Sequence, residues 1–196
     1  PGMTAVLADL ALEAEAATWT ALRLAAAHED DVSEDELAFR RIATPIAKYW
    51  VCKRAPMFAA EALECFGGAG YIEEAPMARL FRESPLNGIW EGSGNVICLD
   101  VLRAAARDPE SVEALLVEIS AAAGADSRLD RAVDDLHSEL GDLSDVELRA
   151  RRIVERAALA LLGSLLVRYA PHVVADAFCA TRLAGDHGRA FGTLPA

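Results

Sequence analysis

A chain of 196 residues with a formal net charge of −12 is long enough to bury a sizeable core, and its surface field repels phosphate backbones and anionic membranes. Its composition is 53% hydrophobic but only 6% aromatic, with Ala and Leu carrying most of the apolar share, which favours packed helices over β-sheet. Cys52, Cys65, Cys98 and Cys179 lie apart with no CxxC pair, and His28, His137, His172 and His187 do not approach metal-ligand spacing, so a disulfide framework, a zinc site and any other metal site are disfavoured.

The N-terminus lacks the basic region and apolar run of a secretory leader, and the chain reads as soluble and cytoplasmic. From Met3 to about His28 apolar residues recur at helical spacing, interrupted by Glu13 and Glu15. "HEDDVSEDE" (28–36) is a charged turn in which Ser33 and Glu36 have the form of a capping box. A long helix follows from about Asp35 to Cys65, with kinks or a break expected at Pro45 and Pro56. "GGAG" (67–70) ends it, a short helix spans Met77 to Glu83, and another runs from near Gly92 to Arg107. "RDPES" (107–111) marks a boundary, with Asp108 placed to cap and Pro109 suited to a first helical turn. Beyond it helices are expected at 109–122, 126–140 and 143–184, the last breaking at Pro171. The apolar run 157–167 is too short to span a bilayer. The reading is all-α, in two sections, 1–107 and 108–196.

One stretch departs from this pattern. In "RESPLNGIWEGSGN" (82–95) the periodicity stops and Glu91 sits between Trp90 and Gly92. A carboxylate near a helix N-terminus is ordinary, as is a GGxG turn closing a helix, and Arg79 and Arg82 on one helix face commonly bridge to acids such as Glu73 and Glu74. Each feature alone favours structure over function.

Their order and spacing together are more specific. Gly67-Gly68-Ala69-Gly70-Tyr71, then Arg79 and Arg82, then Ile89-Trp90-Glu91-Gly92-Ser93, resemble the C-terminal helical domain of acyl-CoA dehydrogenases. "IWEGSGN" with "VICLDVLRA" (96–104), "TPIAKYWVCKRAPMFAAEALE" (44–64) and "YAPHVVADAFC" (169–179) resemble the AidB-like, DNA alkylation response branch. The resemblance implies an FAD-dependent oxidoreductase acting on acyl-CoA thioesters, in which Glu91 is the catalytic base. α,β-Dehydrogenation removes a proton from the α-carbon as hydride leaves the β-carbon for the flavin, and a carboxylate kept from water is an effective base for that proton. The resemblance further places Trp90 against the flavin ring, the Ser93 hydroxyl on the flavin, Asn95 along the dinucleotide, and Gly67 and Gly68 at the ADP half of an FAD held mainly by a neighbouring subunit. It implies a homo-oligomer, dimer or tetramer.

The sequence also departs from the family. Glu64 stands where relatives commonly carry glutamine, and "GSGN" replaces the commoner "GTSE". The AidB-like branch is associated with little ordinary dehydrogenase activity. The chain corresponds to the last of three parts that build the site in relatives, so it is expected to be inactive in isolation. The second section resembles the domain to which DNA binding is attributed in that branch, yet residues 107–196 hold ten Arg and no Lys against fifteen Asp and Glu, a net of −5, which disfavours DNA. Arg149, Arg151, Arg152 and Arg156 form the one local basic patch, and their alternation with apolar residues reads first as an exposed helix face. Two alternatives stand beside the dehydrogenase reading: a DNA-associated alkylation-response protein, and a helical oligomerisation module.

Overall fold

The computed structural model describes residues 2–142 and 144–195, and among them all regular structure is helical. Helix α1 spans Gly2–Ala26, α2 Glu34–Cys65, α3 Gly68–Tyr71, α4 Pro76–Glu83, α5 Gly94–Arg107, α6 Pro109–Ser120, α7 Ser127–Gly141, α8 Val146–Tyr169 and α9 His172–Phe178. A 3-10 turn covers Ser84–Gly88, and a π-helical turn over Cys179–Leu183 follows α9. The long final helix expected over 143–184 is therefore three pieces. The break falls at Ala170 and Pro171, because proline cannot continue the donor ladder and pushes the residue before it into extended backbone.

Of the kinks or break expected at Pro45 and Pro56, the break does not occur. Helix α2 runs through both without interruption. Pro56 leaves the Cys52 carbonyl without its helical donor, and that carbonyl faces Gly88 of the 3-10 turn, 3.6 Å from where a Cβ would stand there. The turn that leads into Glu91 thus packs against the point where α2 lacks a hydrogen bond.

Helix α8 is the axis of the fold. Its central run, the apolar segment 157–167, is buried on nearly all sides, as expected of a helix enclosed by others. Val154, Ala158, Leu161 and Leu165 join Phe39, Ile42 and Ile46 of α2, Ile97 and Val101 of α5 and Leu115 and Ile119 of α6 in the main core. Leu162 and Leu166 face the other way, onto Leu12 and Ala16 of α1 and Phe178. The core is therefore continuous across residue 107, with α6 and α8 seated on α2. Among the described residues no helix is long and apolar enough to cross a membrane.

Two local expectations are corrected. Ser33 accepts from the Glu36 N–H at 3.3 Å, but the Glu36 carboxylate does not return to Ser33; it takes both Nη atoms of Arg23, at 2.7 and 2.8 Å. Asp108 occupies the N-cap position of α6 without a side-chain cap, because its carboxylate pairs with Arg41 of α2. The acids that interrupt α1 also have partners. Glu13 accepts from Arg54 and Arg182, both at 2.9 Å, and Asp9 pairs with Arg182, so a nearly dry ionic cluster ties the C-terminal turn to α1 and α2.

Candidate functional site

Glu91 stands at the centre of the turn between the 3-10 segment and α5, with φ +58°, a left-handed conformation that a non-glycine residue adopts at a cost. The turn is held from outside. Lys48 of α2 donates through Nζ to the Trp90 carbonyl and to the Gly92 carbonyl, each at 2.8 Å, gripping the backbone on both sides of Glu91. A lysine is suited to this, since one ammonium carries three donors that can fan out to adjacent carbonyls. Cys52, one turn further along α2, lies in the same neighbourhood. Burial pushes its thiol up, the Lys48 charge opposes that, and the Glu91 charge adds to it.

Glu91, Ser93 and Asn95 are exposed, and Trp90 is 54% exposed. Ser93 is the N-cap residue of α5, yet its hydroxyl makes no capping bond and remains free. Trp90 belongs to a run of uncovered large apolar side chains over residues 66–96 that includes Phe66, Tyr71, Leu80 and Ile89. That concentration of exposed apolar side chains on one stretch of chain is the kind of surface that commonly meets a partner or ligand.

The glycine turn sits elsewhere on α2. Gly67 has φ +58° and ψ −144°, a conformation open essentially to glycine alone, and nothing lies within 4 Å of its missing Cβ. Its N–H returns to the Glu64 carbonyl at 2.9 Å, so the turn is the helix closure that its sequence suggests. Gly68 is also exposed. Gly70 serves packing, since a Cβ there would stand 2.3 Å from the Leu63 carbonyl oxygen. The structure does not bring Gly67 and Gly68 against Glu91: Lys48 and Cys65 are about 25 Å apart along the α2 axis. Arg79 and Arg82 are both engaged, Arg79 with Glu83 at 2.8 Å and Arg82 with both oxygens of Glu73 at 2.7 and 2.9 Å, while Glu74 takes no part in these pairs.

The basic patch of the second section is largely neutralised. Glu139 of α7 pairs with Arg149 at 2.5 Å, with Arg156 at 3.2 Å and with Arg152. Burial alone would raise its carboxyl, but hydrogen bonds from Arg152 and Arg149 outweigh it and hold the group below the usual carboxylate range. Arg151 turns away and donates from Nε to the Tyr49 hydroxyl at 3.2 Å. Sequence reading missed Lys48, whose bonds reach 42 and 44 residues along the chain, and no local pattern could have disclosed it.

The class of protein these features define is an all-α bundle that carries a clamped glutamate turn at its rim, beside an uncovered apolar face. The chain belongs to the acyl-CoA dehydrogenase family: residues 1–106 match the family described as "Acyl-CoA dehydrogenase, C-terminal domain". It is 39% identical over 183 residues to AidB of Escherichia coli (strain K12), covering 93% of this chain and 34% of that protein, so the likeness extends through the second section. It is 42% identical over 84 residues to acyl-CoA dehydrogenase family member 11 of Caenorhabditis elegans, covering 42% of this chain and 14% of that one. The crystal structure of Caenorhabditis elegans ACDH-11 in complex with C11-CoA superposes with a TM-score of 0.78 at 25% identity, over 92% of this chain and 36% of that one. The chain thus spans about a third of the length of AidB and ACDH-11.

Proposed function

We propose that this chain supplies the base-bearing wall of an FAD-dependent acyl-CoA dehydrogenase site, with the Glu91 carboxylate taking the α-proton of an acyl thioester. The observation that carries the reading is the Lys48 clamp. A glutamate at positive φ whose flanking carbonyls are both held by one half-buried lysine is a strained backbone position held in place, and such strain concentrates at functional turns. The residues present fit the cofactor: an exposed indole at Trp90, a free hydroxyl at Ser93, an exposed amide at Asn95, and unobstructed backbone at Gly67 and Gly68. FAD, when bound, supplies the hydride acceptor. Trp90 then excludes water from the Glu91 carboxylate, Ser93 and Asn95 offer hydrogen bonds, and Lys48 fixes the direction from which the base approaches. The distance between the glycine turn and Glu91 suits opposite ends of an extended dinucleotide, or sites in two copies of the chain.

With Glu91 exposed and its apolar surroundings uncovered, the water exclusion that general-base catalysis needs must come from further surfaces. We therefore expect the isolated chain to be inactive and to associate through the 66–96 face as a homo-oligomer. That C11-CoA binds ACDH-11 supports an acyl-CoA ligand here. The purified chain, incubated with excess FAD and passed through a sizing column, tests the reading: flavin absorbance under an oligomeric peak, reduced by loss of the Trp90 ring in Trp90→Ala, supports it. A monomeric peak without flavin, or flavin retention unaltered by that substitution, overturns the proposed wall.

A further inference from the structure

The cations of this acidic protein are unevenly placed. Seven of its nineteen Lys and Arg line a single cleft of about 650 Å³, where α2, α7, α8 and the π-helical turn meet. Four already have carboxylate partners: Arg128 with Asp126 and Asp176, Arg152 and Arg156 with Glu139, and Arg182 with Asp9 and Glu13. The other three, Lys53, Arg131 and Arg151, have no carboxylate within 4 Å among the described residues. Two of these converge. Lys53 Nζ and Arg151 Nη2 each lie 3.5 Å from the point where a Cβ on Gly94 would stand, in front of the first turn of α5. Arg151 is aimed there by its bond to the neutral Tyr49 hydroxyl; the Glu155 carboxylate one turn on acts on it through space but forms no ion pair with it.

We propose that this cleft binds a small organic phosphate ester of nucleotide type, its phosphate held by Lys53, Arg131 and Arg151. The guanidinium fork matches two phosphate oxygens and the lysine supplies a point charge, the division of labour usual in phosphate sites. The remaining lining suits the organic part: Leu159, Leu183 and the Tyr49 ring offer apolar contact, and Asp135 and Glu155 accept hydrogen bonds from hydroxyl groups. The volume lies within the range of small-molecule sites. A concave pocket on a chain of net charge −12 is poorly shaped and poorly charged for tracking a duplex, which favours a small ester over DNA. This inference does not depend on the chemistry at Glu91.

The test is calorimetric titration of the intact chain at low salt with pyrophosphate, ADP, coenzyme A and a short DNA duplex. Expected is one site for ADP or coenzyme A, with pyrophosphate competing, and the tighter of the two identifies a free nucleotide or a thioester carrier as the source. Lys53→Gln, Arg131→Gln and Arg151→Gln should each weaken binding about tenfold, corresponding to one lost charge-assisted bond. Arg151→Lys, which keeps the charge, should recover part of the loss. Arg103→Gln, which removes an exposed charge paired to Asp100 elsewhere on α5, should change little. The proposal is overturned if no phosphate compound binds at millimolar concentration, if Arg103→Gln weakens binding as much as the cleft variants, or if the duplex binds through these cations and ADP fails to displace it.

Discussion

The Lys48 clamp makes a quantitative claim about the Glu91 turn. Replacing Lys48 by methionine keeps the apolar stem and removes the ammonium, so two hydrogen bonds of 2.8 Å to the Trp90 and Gly92 carbonyls are lost together. Bonds to a charged group are each worth about 1.5–3 kcal/mol when desolvated. Here Lys48 is only half-buried, so a total of about 2 kcal/mol is the reasoned cost, or roughly 5 °C in Tm for a chain of this size. That figure holds if the turn keeps its shape. Without the ammonium the turn can relax and recover the strain of Glu91, about 1 kcal/mol for a non-glycine residue at positive φ, so the net loss in the parent falls towards about 1 kcal/mol. Glu91→Gly has no such strain to recover. In that background Lys48→Met should therefore cost the full amount of about 2 kcal/mol, a coupling of about 1 kcal/mol in the double-mutant cycle. Urea denaturation of the four proteins measures it. Strict additivity, within about 0.5 kcal/mol, would refute the argument that Lys48 stabilises the left-handed turn. Lys53→Met, which removes a neighbouring lysine of α2 that does not bond this turn, is the control and should be close to neutral.

Three further outcomes follow from the geometry. Glu118 accepts from Arg23 at 2.7 Å and from Arg168 at 2.6 Å at 12% exposure, so Glu118→Gln leaves two guanidinium groups short of charge and should cost about 2–3 kcal/mol of stability, measured by urea denaturation. Gly70→Ala drives a Cβ to 2.3 Å from the Leu63 carbonyl and should destabilise strongly in thermal unfolding, whereas Gly68→Ala, with nothing within 4 Å, should stay within about 0.5 kcal/mol of the parent. Hydrogen bonds from Arg128 hold Asp126 down at about 2, from an ordinary 3.8. The folded state thus binds fewer protons than the unfolded one in that window, and Asp126 contributes stability that is complete above about pH 4 and is lost as pH falls towards 2. Asp126→Asn should flatten that part of the acid-unfolding curve, with a difference of about 1–2 kcal/mol at neutral pH after solvent screening.

What the sequence disclosed, and what it hid, divides by range. The helices were legible because Ala and Leu at three- and four-residue spacing are a local signal, and α1, α2, α4, α5, α6 and α7 lie close to where that signal places them. The break at Pro171 was legible for the same reason. Pro56 did not break α2, and the carbonyl it leaves without a helical donor lies beside the Gly88 turn, a placement that no local pattern discloses. The motif around Glu91 was visible as an interruption, but its left-handed backbone and its anchor were not, since the anchoring lysine is 42 residues distant from the carbonyl it binds.

The misplaced caps share a cause that reaches the second section as well. Glu36 and Asp108 each stand where a local rule would use them at a helix start, and each is claimed instead by an arginine from another helix. A cap supplies one hydrogen bond to a neutral N–H, whereas a guanidinium offers a charged, often two-pronged partner and joins two helices in doing so. Glu139 repeats the pattern by taking three of the four arginines that looked like a basic face. With nineteen basic and thirty-one acidic residues, most cations here find acids. The informative cations are consequently among those that do not. Lys48 spends its charge on two carbonyls beside the candidate base, while Lys53, Arg131 and Arg151 keep theirs facing a cleft. Arg40, Arg107 and Arg189 also lack a carboxylate partner among the described residues, so a missing partner alone does not mark a site; Lys48 is singled out by its grip on the Glu91 turn, and Lys53, Arg131 and Arg151 by sharing one cleft.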